Sequence, residues 1–180
     1  MPLSSKSALA LSLALVVVTA AHTARASDAS DVAREMKLPP ALVEGAFANV
    51  DAFFASATAP ANRLESGVIK ELALKALRAR MAGLEDSVPG KTSDSAAEER
   101  NASYKASVKT TRHETTETRE CVDNKVTLTA SEGVPVIKDG AFVFDTAHPR
   151  VTSYAWDVTF CRAPTAGGGF SDWTLAPAAK

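Results

Sequence analysis

The segment Val151–Cys161 (VTSYAWDVTFC) constrains the fold most, because a large apolar residue occupies every second position over much of its length. Such alternation predicts a strand with one buried face. Cys161 falls on the opposite, more polar face, since successive side chains of a strand point to opposite sides. The segment therefore predicts a sheet whose apolar face must be covered. The residues on that face are Tyr154, Trp156, Val158 and Phe160.

The amino-terminal residues 1–26 have the features of a secretory signal peptide. Lys6 lies in a short basic leader, an uncharged run covers residues 8–21, and Ala-Arg-Ala precedes Ser27. The uncharged run is shorter than the roughly 20 apolar residues that a membrane-spanning helix needs. We therefore expect cleavage before Ser27, a periplasmic or secreted protein, and no transmembrane segment after cleavage.

Two cysteines, Cys121 and Cys161, remain in the mature chain. Export to an oxidising compartment favours a disulfide between them. Closing a loop of about 41 residues would stabilise the fold by roughly 4 kcal/mol in the chain-entropy model. Two buried free thiols or half of a metal site are the alternatives. Neither is favoured, because no Cys-x-x-Cys motif or nearby Cys/His pair gives metal spacing.

The charge of the mature chain excludes one class of partner. Without Lys6 and Arg25 the chain carries 18 basic and 21 acidic side chains. Such a balance gives no electrostatic footprint for nucleic acid, so we expect no nucleic-acid partner. The length suits a single domain with a real core.

Residues 27–84 are predicted to be the helical part of this domain. Val43, Phe47, Val50 and Phe54 recur at spacings of four, three and four, which predicts a helix over 41–57. A second amphipathic pattern runs over 63–84 and follows a short turn, so the two helices should form a hairpin.

Residues 85–102 are predicted to be a polar linker. The segment holds only one large apolar residue, and its Ser95 and Glu98 have the spacing of a capped helical turn. Asn101 begins an Asn-Ala-Ser glycosylation triplet, but the sequence does not show whether the host uses it.

Residues 103–180 are predicted to form the sheet part of the same domain. One strand should run from Ser103 through a threonine-rich stretch to Cys121, and Lys138-Asp139-Gly140 should turn the chain between later strands. Helices first and strands afterwards predict an α+β fold. We expect the helical hairpin to pack on one face of an antiparallel sheet of four to five strands, with Phe47 and Phe54 on the Trp156 face.

No arrangement of residues predicts catalysis, a cofactor or a metal. On an unbroken strand His113 and Glu117 share a face but lie about 13 Å apart, too far to act as a pair. A metal site built from His113, His148 and Asp145 would require the fold to bring them together. We therefore predict no metal site, no cofactor and no catalytic residues.

These observations favour a small exported domain of the binding or interaction type, whose partner is another envelope or extracellular protein. The partner should contact its polar sheet face or its threonine-rich edge. A small hydrolase or isomerase is one alternative, with His113, His148, Asp157 or Glu117 as acid or base in a pocket between helices and sheet. A carrier of a small apolar ligand is the other, and it needs a deep cavity between the Phe47/Phe54 helix and the Trp156 strand. The candidate interaction surface comprises His113, Glu114, Glu117, Arg119 and Asp157.

Overall fold

The computed structural model describes residues 29–56 and 66–176, and the predicted signal peptide lies outside these ranges. Three helices precede five strands, which makes the fold α+β as predicted. The part of the chain that is described contains no helix with the length and apolarity needed to span a bilayer. The helices are α1 (residues 29–36), α2 (Pro40–Ala55) and α3 (Ser66–Met81). The strands are β1 (Thr92–Glu99), β2 (Ala102–Thr115), β3 (Glu120–Lys138), β4 (Ala141–Arg162) and β5 (Thr174–Leu175).

The chain divides into two compact units, Met1–Glu44 and Gly45–Lys180. In the first unit, α1 gives way to Lys37, which has a φ of 54°, the left-handed conformation that often ends a helix. The amide of Leu38 donates a hydrogen bond to the carbonyl of Ala33 (2.9 Å). The sheet lies entirely in the second unit.

All strand pairs are antiparallel, and the strand order in the sheet equals the order in the chain. The first four strands of this meander are joined by connections of two to four residues, and residues 163–173 lead from β4 to β5. Asp139 and Gly140, with φ of 52° and 76°, form the two-residue turn between β3 and β4. Positive φ at both positions is typical of the type I′ hairpin turn, so the predicted turn is confirmed.

The core of the sheet lies on one face, called here the inner face; the opposite face is the outer face. Val158 and Phe160 are buried, and Tyr154 and Trp156 are half-buried, so the predicted alternation of β4 is confirmed. Not every aromatic of β4 belongs to this core, because Phe142 is 69 % exposed. Residues of β2 and β3, aliphatic or small apart from Tyr104, form most of it. These buried residues include Tyr104, Ala106, Val108, Val122, Val126, Leu128 and Ala130.

Helix α2 buries a face that is rotated from the predicted one. Phe53 is buried, whereas Phe47 and Phe54 are only half-buried. The ring of Phe53 lies 6.2 Å from that of Tyr154, and the Tyr154 hydroxyl donates to Asn49 Oδ1 (3.2 Å). Two adjacent stripes of this helix have apolar spacing, and periodicity alone could not choose between them. Helix α3 contacts β1, β2 and β3.

Two predicted segments need correction. The polar segment 85–102 is more than a linker, because it contains β1, and Ser95 and Glu98 lie in that strand instead of a helical turn. The strand predicted to continue to Cys121 is wrong, since β2 ends at Thr115. The chain then turns, with the amide of Thr116 donating to the carbonyl of Arg119 (2.8 Å).

A bulge at residue 111 changes which side chains of β2 face the core. Thr110 pairs with Asn124, but Arg112 pairs with Asp123, so one extra residue enters β2 between them. Such a bulge reverses the alternation of the residues that follow. His113, opposite the buried Val122, therefore lies on the inner face.

The predicted disulfide between Cys121 and Cys161 is present. The two residues lie directly opposite each other on β3 and β4, with their Cα atoms 4.2 Å apart. Because their neighbours Val122 and Phe160 are buried on the inner face, the bridge joins the strands on the outer face.

Candidate functional site

Two features of the second unit are candidates for function. The first, which we call the Glu120 cluster, consists of Glu85, His113, Glu120 and Arg162. The second, the apolar arm, consists of residues 133–149, where β3 and β4 extend beyond Ala102, the first residue of β2.

Glu120 is the centre of its cluster. Its side chain is 8 % exposed and accepts hydrogen bonds at both oxygens, from His113 Nε2 at Oε1 (2.7 Å) and from Arg162 Nε at Oε2 (2.6 Å). Arg162 Nη1 also donates to Glu85 Oε1 (3.0 Å), and the Glu85 side chain is 74 % exposed. Burial alone would raise the pKa of Glu120, but the bonds from Arg162 and His113 outweigh burial and hold this pKa below its usual range.

The register of the sheet brings Glu120 and Arg162 together. Glu120 lies directly opposite Arg162, next to the Cys121–Cys161 pair. The disulfide thus fixes the two strands one residue away from the buried ion pair. Side chains of the carboxyl-terminal segment cover the arginine, because the Arg162 guanidinium lies 4.5 Å from the ring centroids of both Phe170 and Trp173.

The geometry of His113 does not suit acid–base catalysis. The carbonyl oxygen of Ser87 lies 2.6 Å from Nδ1, and Glu120 Oε1 lies 2.7 Å from Nε2. A catalytic histidine needs one ring nitrogen within reach of the substrate. Both nitrogens of His113 and both carboxylate oxygens of Glu120 are already engaged, so we assign the cluster a bracing role.

The residues of the predicted interaction surface do not all share one surface. Glu114, Glu117 and Arg119 are exposed near the β2–β3 turn, where Glu114 pairs with Arg112 (2.6 Å). His113 faces the opposite side of β2 from Glu114, and Asp157 lies further along the sheet opposite Lys125. Only the three turn residues are thus brought together.

The structure separates the histidines that could have formed a metal or catalytic site. His113 lies beside the disulfide end of the sheet, whereas His148 lies in the apolar arm. His148 Nδ1 bonds to Asp145 Oδ2 (3.0 Å), and the His148 side chain is 86 % exposed. Among residues 29–56 and 66–176, no group of three His, Cys, Asp or Glu side chains could hold a metal ion. No two of His113, Glu117, His148 and Asp157 are hydrogen-bonded to each other in these ranges.

The apolar arm is a two-stranded ribbon. The last β2–β3 pair is Ala102 with Glu132, and the amide of Gly133 still donates to the carbonyl of Asn101 (2.8 Å). The β3 residues from Val134 onward pair only with β4. Pro135 fits this stretch because a proline, which has no amide hydrogen, is tolerated in an edge strand. Each strand of the arm therefore has one edge without a neighbouring strand among the described residues.

Both faces of the arm are apolar. Ile137 pairs with Phe142, and Pro135 pairs with Phe144 two levels away on the same face. The rings of Phe142 and Phe144 meet edge to face at 5.6 Å. Val136 and Val143 form a pair on the other face. Ile137 and Phe142 are 80 % and 69 % exposed, which is exceptional for such large apolar side chains when they are grouped.

A cleft of about 340 Å³ lies along the arm. Its walls are mostly apolar, and the ion pair between Arg150 and Glu132 (2.8 Å) lies at the base of the arm. Glu132 is buried, whereas the Arg150 side chain is 54 % exposed. The cleft can therefore accept an apolar side chain beside a polar group. Its lining residues are Glu132, Gly133, Val134, Pro135, Phe142, Phe144 and Arg150.

A second irregularity sets the base of the arm. Glu132 pairs with Arg150 and Val134 with Asp145, so residues 146–149 bulge opposite Gly133 alone. Asp145 organises the bulge by accepting hydrogen bonds from the amides of Ala147 (2.9 Å) and His148 (3.3 Å). The His148 side chain and these amides lower the pKa of Asp145.

Sequence reasoning missed Glu120, Arg162 and the arm for different reasons. Glu120 precedes one cysteine and Arg162 follows the other. Had the predicted disulfide been used to set an antiparallel register, these opposite charges would have faced each other. The arm carried no such signal, because Phe142 and Phe144 alternate in the same way as the buried residues of β4.

The chain matches no protein-family model, no curated protein and no solved structure.

Proposed function

We propose that this protein is exported by its amino-terminal signal peptide and acts in the periplasm or outside the cell as a binding domain. The apolar arm is its main contact surface, and its partner is a protein. The observation that carries this proposal is the exposure of Ile137 and Phe142 on a ribbon with apolar residues on both faces. A contiguous exposed apolar patch of this kind often marks an interaction site on a protein surface.

The rest of the second unit supports this role by holding β3 and β4 together outside the arm. The Cys121–Cys161 bridge and the Glu120 cluster join β3 to β4 at the end of these strands opposite the arm. We propose that α2 and α3 form a hairpin over the inner face. The ion pair of Lys70 with Asp51 (3.0 Å) and the Phe53–Tyr154 contact support that packing. A rigid base lowers the entropy lost when the arm is bound.

The turn that carries Glu114, Glu117 and Arg119 is a second candidate contact surface, because all three side chains are exposed. It fits a charged partner, whereas the arm fits an apolar one. The enzyme alternative loses support because both ring nitrogens of His113 are engaged, and no two of His113, His148, Asp157 and Glu117 are hydrogen-bonded to each other among the described residues. The carrier alternative needs a cavity at the helix–sheet boundary, and the Phe53–Tyr154 contact fills one point of that boundary.

A comparison of two variants tests which surface binds. The arm variant carries Ile137→Ser and Phe142→Ser, and the turn variant carries Glu114→Lys, Glu117→Lys and Arg119→Glu. All substituted side chains are exposed, so both variants should fold. Affinity capture from an envelope extract, with quantitative mass spectrometry, should show partners of the wild type retained by the turn variant and lost by the arm variant. Loss in the turn variant alone would move the contact surface to the turn, and equal recovery by all three proteins would refute both surfaces.

A further inference from the structure

The cleft of the apolar arm has a chemistry that defines its occupant. Its apolar walls accept a branched or aromatic side chain, and Arg150 at the base can receive a carboxylate. A guanidinium has five N–H donors, and among the described residues the only hydrogen bond of the Arg150 side chain is the one from Nη2 to Glu132. The occupant should therefore present a large apolar residue with an acidic residue close by.

The tip of the arm itself presents this combination. Ile137 is 80 % exposed, and Asp139 follows two residues later in the exposed β3–β4 turn. The cleft therefore lies near the base of the arm. The residues that could fill it, the apolar Ile137 and the acidic Asp139, lie at the tip. A surface that contains both partners of a contact can bind its own copy across a two-fold axis.

The spacing along the arm fits such a contact. Consider two arms lying antiparallel about an axis between the levels of Pro135 and Val136. Asp139 of one copy then lies level with the Glu132–Arg150 pair of the other. Ile137 lies at the level between Gly133 and Pro135, which share its face of the ribbon and line the cleft. Both contacts occur twice by symmetry. Each arm spans roughly 20 Å from base to tip, given about 3.3 Å per strand residue.

We infer that the occupant of the cleft is the arm of a second copy of this chain, so that two molecules form a dimer through antiparallel arms. The inference rests on the proposed function, because it identifies the partner of the same surface. Each arm supplies fewer residues than the 20–30 per side of a standard interface. The dimer should therefore be weak and reversible, with a dissociation constant on the order of 10 μM.

A membrane surface is a less suitable occupant. Insertion of the tip into a bilayer would carry Asp139 beside Ile137 into apolar surroundings, where a carboxylate is costly. The apolar residues also cover both faces of the ribbon along its length, whereas insertion by the tip would use only its end.

Sedimentation velocity of the purified full chain, over a concentration series that brackets 10 μM, tests the dimer. Ile137→Lys should raise the dissociation constant at least tenfold by placing a charge in the apolar cleft. Val88→Lys is the matched control, because Val88 is 60 % exposed and lies in the loop before β1. This control should dimerise like the wild type. Such exposed positions tolerate a lysine, so failure to fold is not expected.

An exchange of charges between positions 139 and 150 tests the proposed alignment of the two arms. Asp139→Arg places two arginines together in each contact, and Arg150→Asp places two aspartates together, so each variant alone should be monomeric. An equimolar mixture restores an Arg–Asp pair in both contacts and should dimerise within about tenfold of the wild type. Arg150→Asp leaves the buried Glu132 unpaired from Arg150, so circular dichroism must first show that this variant folds. If it does not, Arg150→Gln, which should weaken the dimer about tenfold, takes its place.

Any of three results would overturn the dimer. The wild type could be monomeric throughout the series, Ile137→Lys could associate as strongly as the wild type, or the folded charge-exchange mixture could stay monomeric. Binding of the monomer to vesicles of anionic lipid would overturn it in favour of a membrane. If the wild type is monomeric but the arm variant loses a captured protein, the proposed function stands and only the dimer falls. If the arm variant also loses nothing, both fall.

Discussion

Replacement of Glu120 by glutamine should destabilise the fold far more than the same replacement at Glu85. Both carboxylates bind Arg162, but the Glu120 side chain is 8 % exposed and the Glu85 side chain is 74 % exposed. Removing one partner of a buried ion pair costs about 3–5 kcal/mol, because the other charge is left uncompensated. An exposed pair contributes only about 0–1 kcal/mol. Against a typical unfolding free energy of about 5–15 kcal/mol, the first loss is large.

Urea unfolding at pH 7, followed by tryptophan fluorescence, measures both free energies under identical conditions. Glu120→Gln should lower the free energy of unfolding by about 3 kcal/mol or more, and Glu85→Gln by less than about 1 kcal/mol. The pKa of Glu120 is lowered in the folded state, so its stabilisation is present above the unfolded pKa of about 4.3. This stabilisation is lost as the pH falls through the lower folded value. The difference between wild type and Glu120→Gln should therefore shrink only below about pH 4. Equal losses in the two variants would refute the assignment of Glu120 as the centre of the brace.

Three further predictions concern the same unit. Substitution of Cys121 and Cys161 by alanine should lower the free energy of unfolding by about 4 kcal/mol, and free thiols in the untreated protein, detected by thiol labelling, would contradict the bridge. Arg80→Met should raise the free energy of unfolding by about 1 kcal/mol or more, because Arg80 is 1 % exposed and its Nε and Nη1 have no hydrogen-bond partner among residues 29–56 and 66–176. A clear loss of stability in urea unfolding would count against this prediction. Gly133→Ala should lower the free energy of unfolding by about 1–3 kcal/mol, because the new methyl group would lie 3.1 Å from Cβ of Phe144. An unchanged melting temperature would show that the backbone at the base of the arm can shift at little cost.

Sequence periodicity predicted the strand Val151–Cys161, the β3–β4 turn and the helix-first order, because each depends on local pattern. The period of two in β4 directly places Phe160 on the buried face. The disulfide followed from cysteine number and the expected compartment. None of these features requires knowledge of which strands are neighbours.

The positions that depend on irregularities or on sheet edges could not be predicted. The bulge at residue 111 turns His113 to the inner face, although nothing in its threonine-rich surroundings marks an extra residue. The turn after Thr115 contains no glycine, proline or asparagine, and the Thr116 hydroxyl helps to close it by accepting from the amide of Arg119 (3.2 Å). Phe142 shows the same alternation as a core residue but is exposed, because β2 begins only at Ala102, opposite Glu132, and no part of it lies beside the arm.

Site-specific photocross-linking in cells most directly tests whether the apolar arm is the contact surface. A photoreactive phenylalanine analogue would replace Phe142 in one variant and Ala155, on the outer face of β4, in another. We expect a discrete cross-linked species from position 142, either a second copy of the chain or another protein, and none from position 155. Cross-links from position 155 with none from position 142 would contradict the account.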